Sequence, residues 1–285
     1  MIRLDAATVL LQWATGGLLF LWVTTRRREV GIGYGWLLRA VYGVLAVGAA
    51  AAGLVVDPVP VRDAASLGVA AAATVALAVS VVRRKAGVAG ERDRQERKAT
   101  RVAAMAGRAA PAATAAEPAP VREFPPALDL PAPLIGLVGL VAAGMAAGGP
   151  EALAVARTLA GALFLGAVSD AMLLGHWYLV QPGLGRGPLL ELNRWLALTW
   201  PLEVGLLLWP TGMLSVLSGS VDDGWDGTLG WFWVACAITT LVLTIVTRAA
   251  LKERAYSAVM AATGLLYLAI LTAFGTDLVA RAVLA

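Results

Sequence analysis

Residues 165–195, LGAVSDAMLLGHWYLVQPGLGRGPLLELNRW, hold two apolar runs on either side of a Gly/Pro turn. The first run places a carboxylate, Asp170, among aliphatic neighbours and ends in the only histidine of the chain, His176, followed by Trp177 and Tyr178. The second opens with Glu191, Asn193 and Arg194. Two runs of helical length joined by a turn at 181–188 predict neighbouring antiparallel helices, and their apolar content suits lipid better than water.

The rest of the chain agrees. Hydrophobic residues make up 59% of it and charged residues 15%, with a mean hydropathy of +0.75, whereas a soluble domain is about half apolar and a quarter charged. A helix needs roughly 20 apolar residues to cross a hydrocarbon core about 30 Å thick. Spans are predicted at 6–23, 36–56, 64–82, 133–147, 152–180, 189–217, 231–246 and 258–274. The expected fold is therefore all-α, a polytopic membrane bundle of about eight transmembrane helices. The arginines at 26–28 follow the first run with no small-residue cleavage site, so it reads as a helix rather than a signal peptide. Pro201 and Pro210 fall inside the sixth run and predict a kink or break.

Orientation follows from charge. With the N-terminus outside, nineteen of the basic residues fall on the cytoplasmic side, and only Arg3, Arg62, Arg157 and Arg281 fall outside. That bias places both termini outside, and it accounts for the pI of 9.6 without a nucleic-acid-binding face. Twenty Arg against three Lys, with abundant Ala, Gly and Val, point to a GC-rich bacterial genome and hence a bacterial inner membrane. The chain divides into spans one to three at 1–85, a cytoplasmic charged and Ala/Pro-rich loop at 86–128, and spans four to eight at 129–285. The loop is expected to be mostly disordered. Its stretch 91–101 has opposite charges at helical spacing and continues the third helix for a few turns. A parallel four-plus-four duplication is topologically allowed. Trp22 and Arg39 are 17 residues apart, as are Trp177 and Arg194, but little else aligns at that offset of 155, so no repeat is inferred.

The single cysteine, Cys236, and single histidine exclude an internal disulfide, a bis-histidine haem and a zinc site built from Cys and His. Asp170 lies about ten residues, or about 15 Å, before the cytoplasmic end of its helix. An ionised carboxylate at that depth costs roughly 3 kcal/mol, so it must face the bundle interior and find a partner, or carry a proton. His176 is about 120° round the helix from Asp170, while Trp177 shares its stripe. Glu203 is a second midplane carboxylate. His176, Trp177, Tyr178, Arg186, Glu191, Arg194 and Arg39 all lie near the cytoplasmic ends of their helices. Together they form a candidate pocket of aromatic walls and donors for a carbonyl or anionic oxygen.

This pattern suggests a subunit or accessory of an electron-transfer (respiratory) assembly, not an enzyme by itself. It would hold a quinone or haem near the cytoplasmic face, with the bilayer and other membrane subunits as partners. Beside it stands a transporter of small solutes or ions, using Asp170 and Glu203 and a proline-broken helix. A membrane assembly or structural factor needs no site at all. The residues leave the three open.

Overall fold

The computed structural model describes residues 2–105, 123–181 and 183–284. Among them there is no strand, and eight long helices account for the bundle: α1 (Ala6–Thr25), α2 (Ile32–Val56), α3 (Pro60–Val82), α5 (Pro131–Ala146), α6 (Glu151–Val180), α7 (Gly187–Leu208), α9 (Thr228–Lys252) and α10 (Tyr256–Val283). Two further helices, α4 (Ala89–Met105) and the single-turn α8 (Gly212–Leu217), lie between them. Local chemistry sets several starts. Asp5 caps α1 by accepting from the Ala7 and Thr8 amides, both at 3.1 Å. α3, α5 and α7 each carry proline in the first turn, where its missing N–H costs nothing.

Seven of these helices are long and apolar enough to cross a membrane, α5 when taken with the 3-10 turn before it (Pro126–Ala146). The exception is α7, whose 22 residues would span about 33 Å but carry Glu191, Asn193, Arg194 and Glu203. Asn193 and Glu203 are covered by neighbouring helices, whereas Arg194 is exposed. Asn193 donates to the Thr244 carbonyl of α9 at 3.1 Å. With α7 the described residues hold eight long helices, the number that hydropathy predicts, seven of them fit to cross a membrane. Val44 and Leu271 are 70% and 69% exposed, whereas Asp170, Glu203 and Asp277 are fully buried. That is the distribution expected of a multi-pass membrane protein.

The helices sort into two groups of four. α1, α2, α3 and α5 pack around one another, as do α6, α7, α9 and α10, and the groups join mainly along α1 and α6. In each group the first helix contacts the second and the fourth, so the two halves share one pattern of connection. At the seam α1 and α6 touch backbone to backbone. A Cβ on Gly16 would fall on the Ala162 carbonyl, and one on Gly166 would fall on the backbone of Gly16. Both chain ends lie on one face, where Arg281 Nη1 reaches the Arg3 carbonyl at 3.4 Å.

Three departures from the predicted spans stand out. α7 stops at Leu208 instead of running to 217, and the break falls at Pro210 alone. Trp209 takes the extended backbone (φ −91°, ψ 144°) that a following proline imposes, whereas Pro201 is absorbed inside the helix. α10 continues nine residues past the predicted end at 274. Within the 86–128 loop, 89–105 forms a helix of its own. It is separated from α3 by a short 3-10 turn and by Gly87 at φ +60°, so it does not continue the third span. The Ala/Pro-rich segment at 106–122, expected to be disordered, lies outside the described residues.

Candidate functional site

Asp170 faces protein, as its cost in lipid requires. Its Oδ1 accepts a hydrogen bond from the Tyr42 hydroxyl of α2. Its backbone carbonyl accepts one from Tyr34 at 3.4 Å. Oδ2 is buried with no hydrogen-bond partner. Tyr42 reaches α6 from the far side of α1 because residue 17 is glycine. Any Cβ there would collide with the phenol ring. One residue earlier on α6, Ser169 accepts from Trp13 Nε1 of α1 at 2.8 Å. The helical stripe reads correctly too. Trp177 packs at 6.1 Å from the ring of Tyr34, on the side of Asp170, whereas His176 points elsewhere.

The expected cytoplasmic pocket does not assemble; its members take separate partners. His176 is exposed on the outer surface of α6 and hydrogen-bonds through Nδ1 to the Tyr267 hydroxyl of α10 at 2.9 Å. Trp177 donates to Gln181 Oε1 at 2.9 Å, and Tyr178 donates to the Gly185 carbonyl. Arg186 ties down the α9–α10 turn through the carbonyls of Leu251, Arg254 and Ala255 at 2.9–3.0 Å. Glu191 pairs with Arg26 at 2.5 Å and Arg27 at 3.5 Å instead of with Arg194, which is exposed.

Arg39 is buried in the first helix group. Its guanidinium grips Asp129 with two bonds of 2.7 Å, donates to Ser80 Oγ at 3.2 Å and lies 4.2 Å over the Phe124 ring. The reason is geometric. These side chains leave their helices on different faces, and each finds a nearer acceptor. A quinone or haem at His176 would therefore sit at the lipid-facing surface without the enclosing arginines.

A second buried centre was not visible in the sequence as a unit. Glu203 of α7 lies beside Asp277, Arg281 and Arg157, which dominate its electrostatic surroundings. Asp277 and Arg281 form an i,i+4 ion pair on α10, 2.7 Å apart and at most 1% exposed. Gln12 of α1 donates to the Thr158 carbonyl of α6 at 2.6 Å. Arg157 donates from Nε and Nη2 to the carbonyls of Leu206 and Trp209, both at 2.8 Å. These are carbonyls at the end of α7, freed by the Pro210 break, so the arginine caps the helix. Gly161 leaves the space in which the centre meets. A Cβ there would stand 2.7 Å from Gln12 Nε2 and 2.8 Å from Asp277 Oδ1.

Two carboxylates and two guanidinium groups give this centre no formal net charge, yet its hydrogen bonding is incomplete. Gln12 Oε1, both Glu203 oxygens, Asp277 Oδ1 and Arg281 Nη2 are buried without a hydrogen-bond partner. Two ionised carboxylates offer each other no donor. A proton on either makes the Glu203–Asp277 contact a donor–acceptor pair. On the side of the chain termini, a polar crevice of about 20 Å³ lies against Arg281 and Thr158, enough for one water.

The signal for this centre was the spacing of Asp277 and Arg281. It lay in a segment that hydropathy alone reads as a tail. No protein-family model, no curated protein and no solved structure matches this chain.

Proposed function

We propose that the chain is a proton-carrying membrane transport protein in which Asp170 and the Glu203–Asp277 pair take up and release protons. The observation that carries this reading is the set of buried carboxyl oxygens, on Asp170, Glu203 and Asp277, that lack hydrogen-bond donors. The buried carboxylate of Asp129 differs. It accepts two bonds of 2.7 Å from one arginine. A carboxyl that alternates between acid and carboxylate needs the opposite, an environment that fully satisfies neither form. The adjoining crevice of about 20 Å³ has room for a water beside the pair, as a proton path requires. The excess of basic residues on the opposite side supports an orientation with the termini outside, as in a bacterial cytoplasmic membrane.

The test is proton flux into vesicles. Purified protein is reconstituted with an internal pH dye, and a potassium diffusion potential is applied with valinomycin. Wild type should acidify or alkalinise the lumen according to the sign of the potential. Asp170→Asn and Glu203→Gln should each abolish that flux while leaving yield and monodispersity intact. Wild-type vesicles no leakier to protons than protein-free ones, with or without a co-solute gradient, would sink the proposal.

A further inference from the structure

We infer that the Glu203–Asp277 pair exchanges its proton with the face bearing the two chain termini, through the crevice walled by Arg3, Asp5, Asp57, Arg62, Thr158 and Arg281. This rests on the proton-carrying reading and adds a side and a route to it.

Arg281 belongs to both places. It lines the crevice, and its Nε holds Asp277 Oδ2 at 2.7 Å. Thr158 is also shared. It lines the crevice, while its carbonyl accepts from Gln12, whose amide stands with Asp277 Oδ1 over Gly161. Arg281 and the Thr158 turn of α6 thus border both the pair and the crevice. The charged groups facing the pair are Arg157 on α6 and Arg281 on α10, with Gln12 the polar neighbour on α1. At the mouth, Arg62 is held by Asp5 at 2.5 Å and by Asp63 at 2.8 Å, which keeps that wall charged and wettable. A crevice with charged groups and room for water offers a proton a path to the pair. Arg281 acts as a positioning residue, fixing the Asp277 carboxylate at the inner end of the route.

The test uses the full-length protein. Cys236→Ser removes the one native thiol. Ala146→Cys then places a thiol on the crevice wall, and Met145→Cys places one beside it on a residue that does not line the crevice. Each is capped with a charged methanethiosulfonate reagent, and the extent of capping is read by mass spectrometry. The readout is the infrared carbonyl band of the protonated pair, identified by its loss in Glu203→Gln, and its rate of exchange on transfer to D₂O. The adduct at 146 should slow that exchange by an order of magnitude, and the adduct at 145 should leave it unchanged. Complete capping at 146 with no change in rate overturns the route while leaving the proton-carrying role standing. Absence of any band lost in Glu203→Gln overturns the proton-carrying role of the pair, and the route with it.

Discussion

Replacing Asp129 by alanine strands a guanidinium inside the first helix group. Arg39 and Asp129 are 2% and 1% exposed, so neither charge can turn to solvent when its partner is lost. In the native chain Arg39 has three bonds, two to the carboxylate at 2.7 Å and one to Ser80 at 3.2 Å, and only the last survives the substitution. Removing one member of a buried pair costs about 3–5 kcal/mol, far more than the pair contributes over an apolar replacement. At 1.4 kcal/mol per decade that is a shift of about a hundredfold to a few thousandfold in the folding equilibrium.

The assay is equilibrium unfolding in mixed micelles of increasing SDS fraction, followed by far-UV circular dichroism. Asp129→Ala should move the midpoint strongly to lower SDS, and Arg39→Met should do the same. The double substitution should recover most of the loss, because the stranded charge is gone. A single substitution costing less than about 1 kcal/mol, the range of an exposed pair, would refute the argument that burial makes this contact indispensable.

Three further outcomes follow from the same geometry. Gly16→Leu should prevent the two helix groups from joining, since its side chain would occupy the space of the Ala162 carbonyl; size-exclusion chromatography that finds a monodisperse native protein would contradict this. His176→Ala removes one exposed hydrogen bond to Tyr267, so it should cost no more than about 1 kcal/mol in the unfolding assay and leave proton flux unaltered. Desolvation raises the Asp223 carboxyl, but the amides of Trp225, Gly227, Gly230 and Leu229 prevail and hold it below the ordinary aspartate range. Its contribution to loop order is therefore complete above the ordinary value of about 3.9 and is lost only as pH falls through the lower folded value. Hydrogen exchange at the Leu229 and Gly230 amides should stay protected at pH 5 and be fast at that pH in Asp223→Asn.

Hydropathy located the spans because a helix in lipid must be apolar over its full length, and no tertiary contact changes that. It failed at the ends, where charges inside protein look like charges in water. Asp277 and Arg281 form an ion pair one turn apart, so α10 carries them into the bundle, although by composition they resemble a tail. The inward face of Asp170 followed from its solvation cost alone. Partner choice did not follow. Arg39 meets Asp129 across 90 residues of sequence and His176 meets Tyr267 across 91, and nothing in spacing along one helix predicts which neighbour arrives first. The candidate pocket failed for that reason: nearness in depth was legible, but angular direction around each helix was not.

The arginine at the end of α7 changes what a broken helix means in this protein. A helix that breaks beside buried acids leaves its last carbonyls without intrahelical donors, and water drawn in to satisfy them would open a leak. Arg157 supplies bonds to the Leu206 and Trp209 carbonyls from a neighbouring helix, so those two need no water. Pro210 and Arg157 are thereby bound into one functional unit. A substitution that let α7 run on would take up the carbonyls and release a charged side chain next to Glu203. The proline would then govern the proton site from a distance, without touching it, by setting where a single positive charge is held.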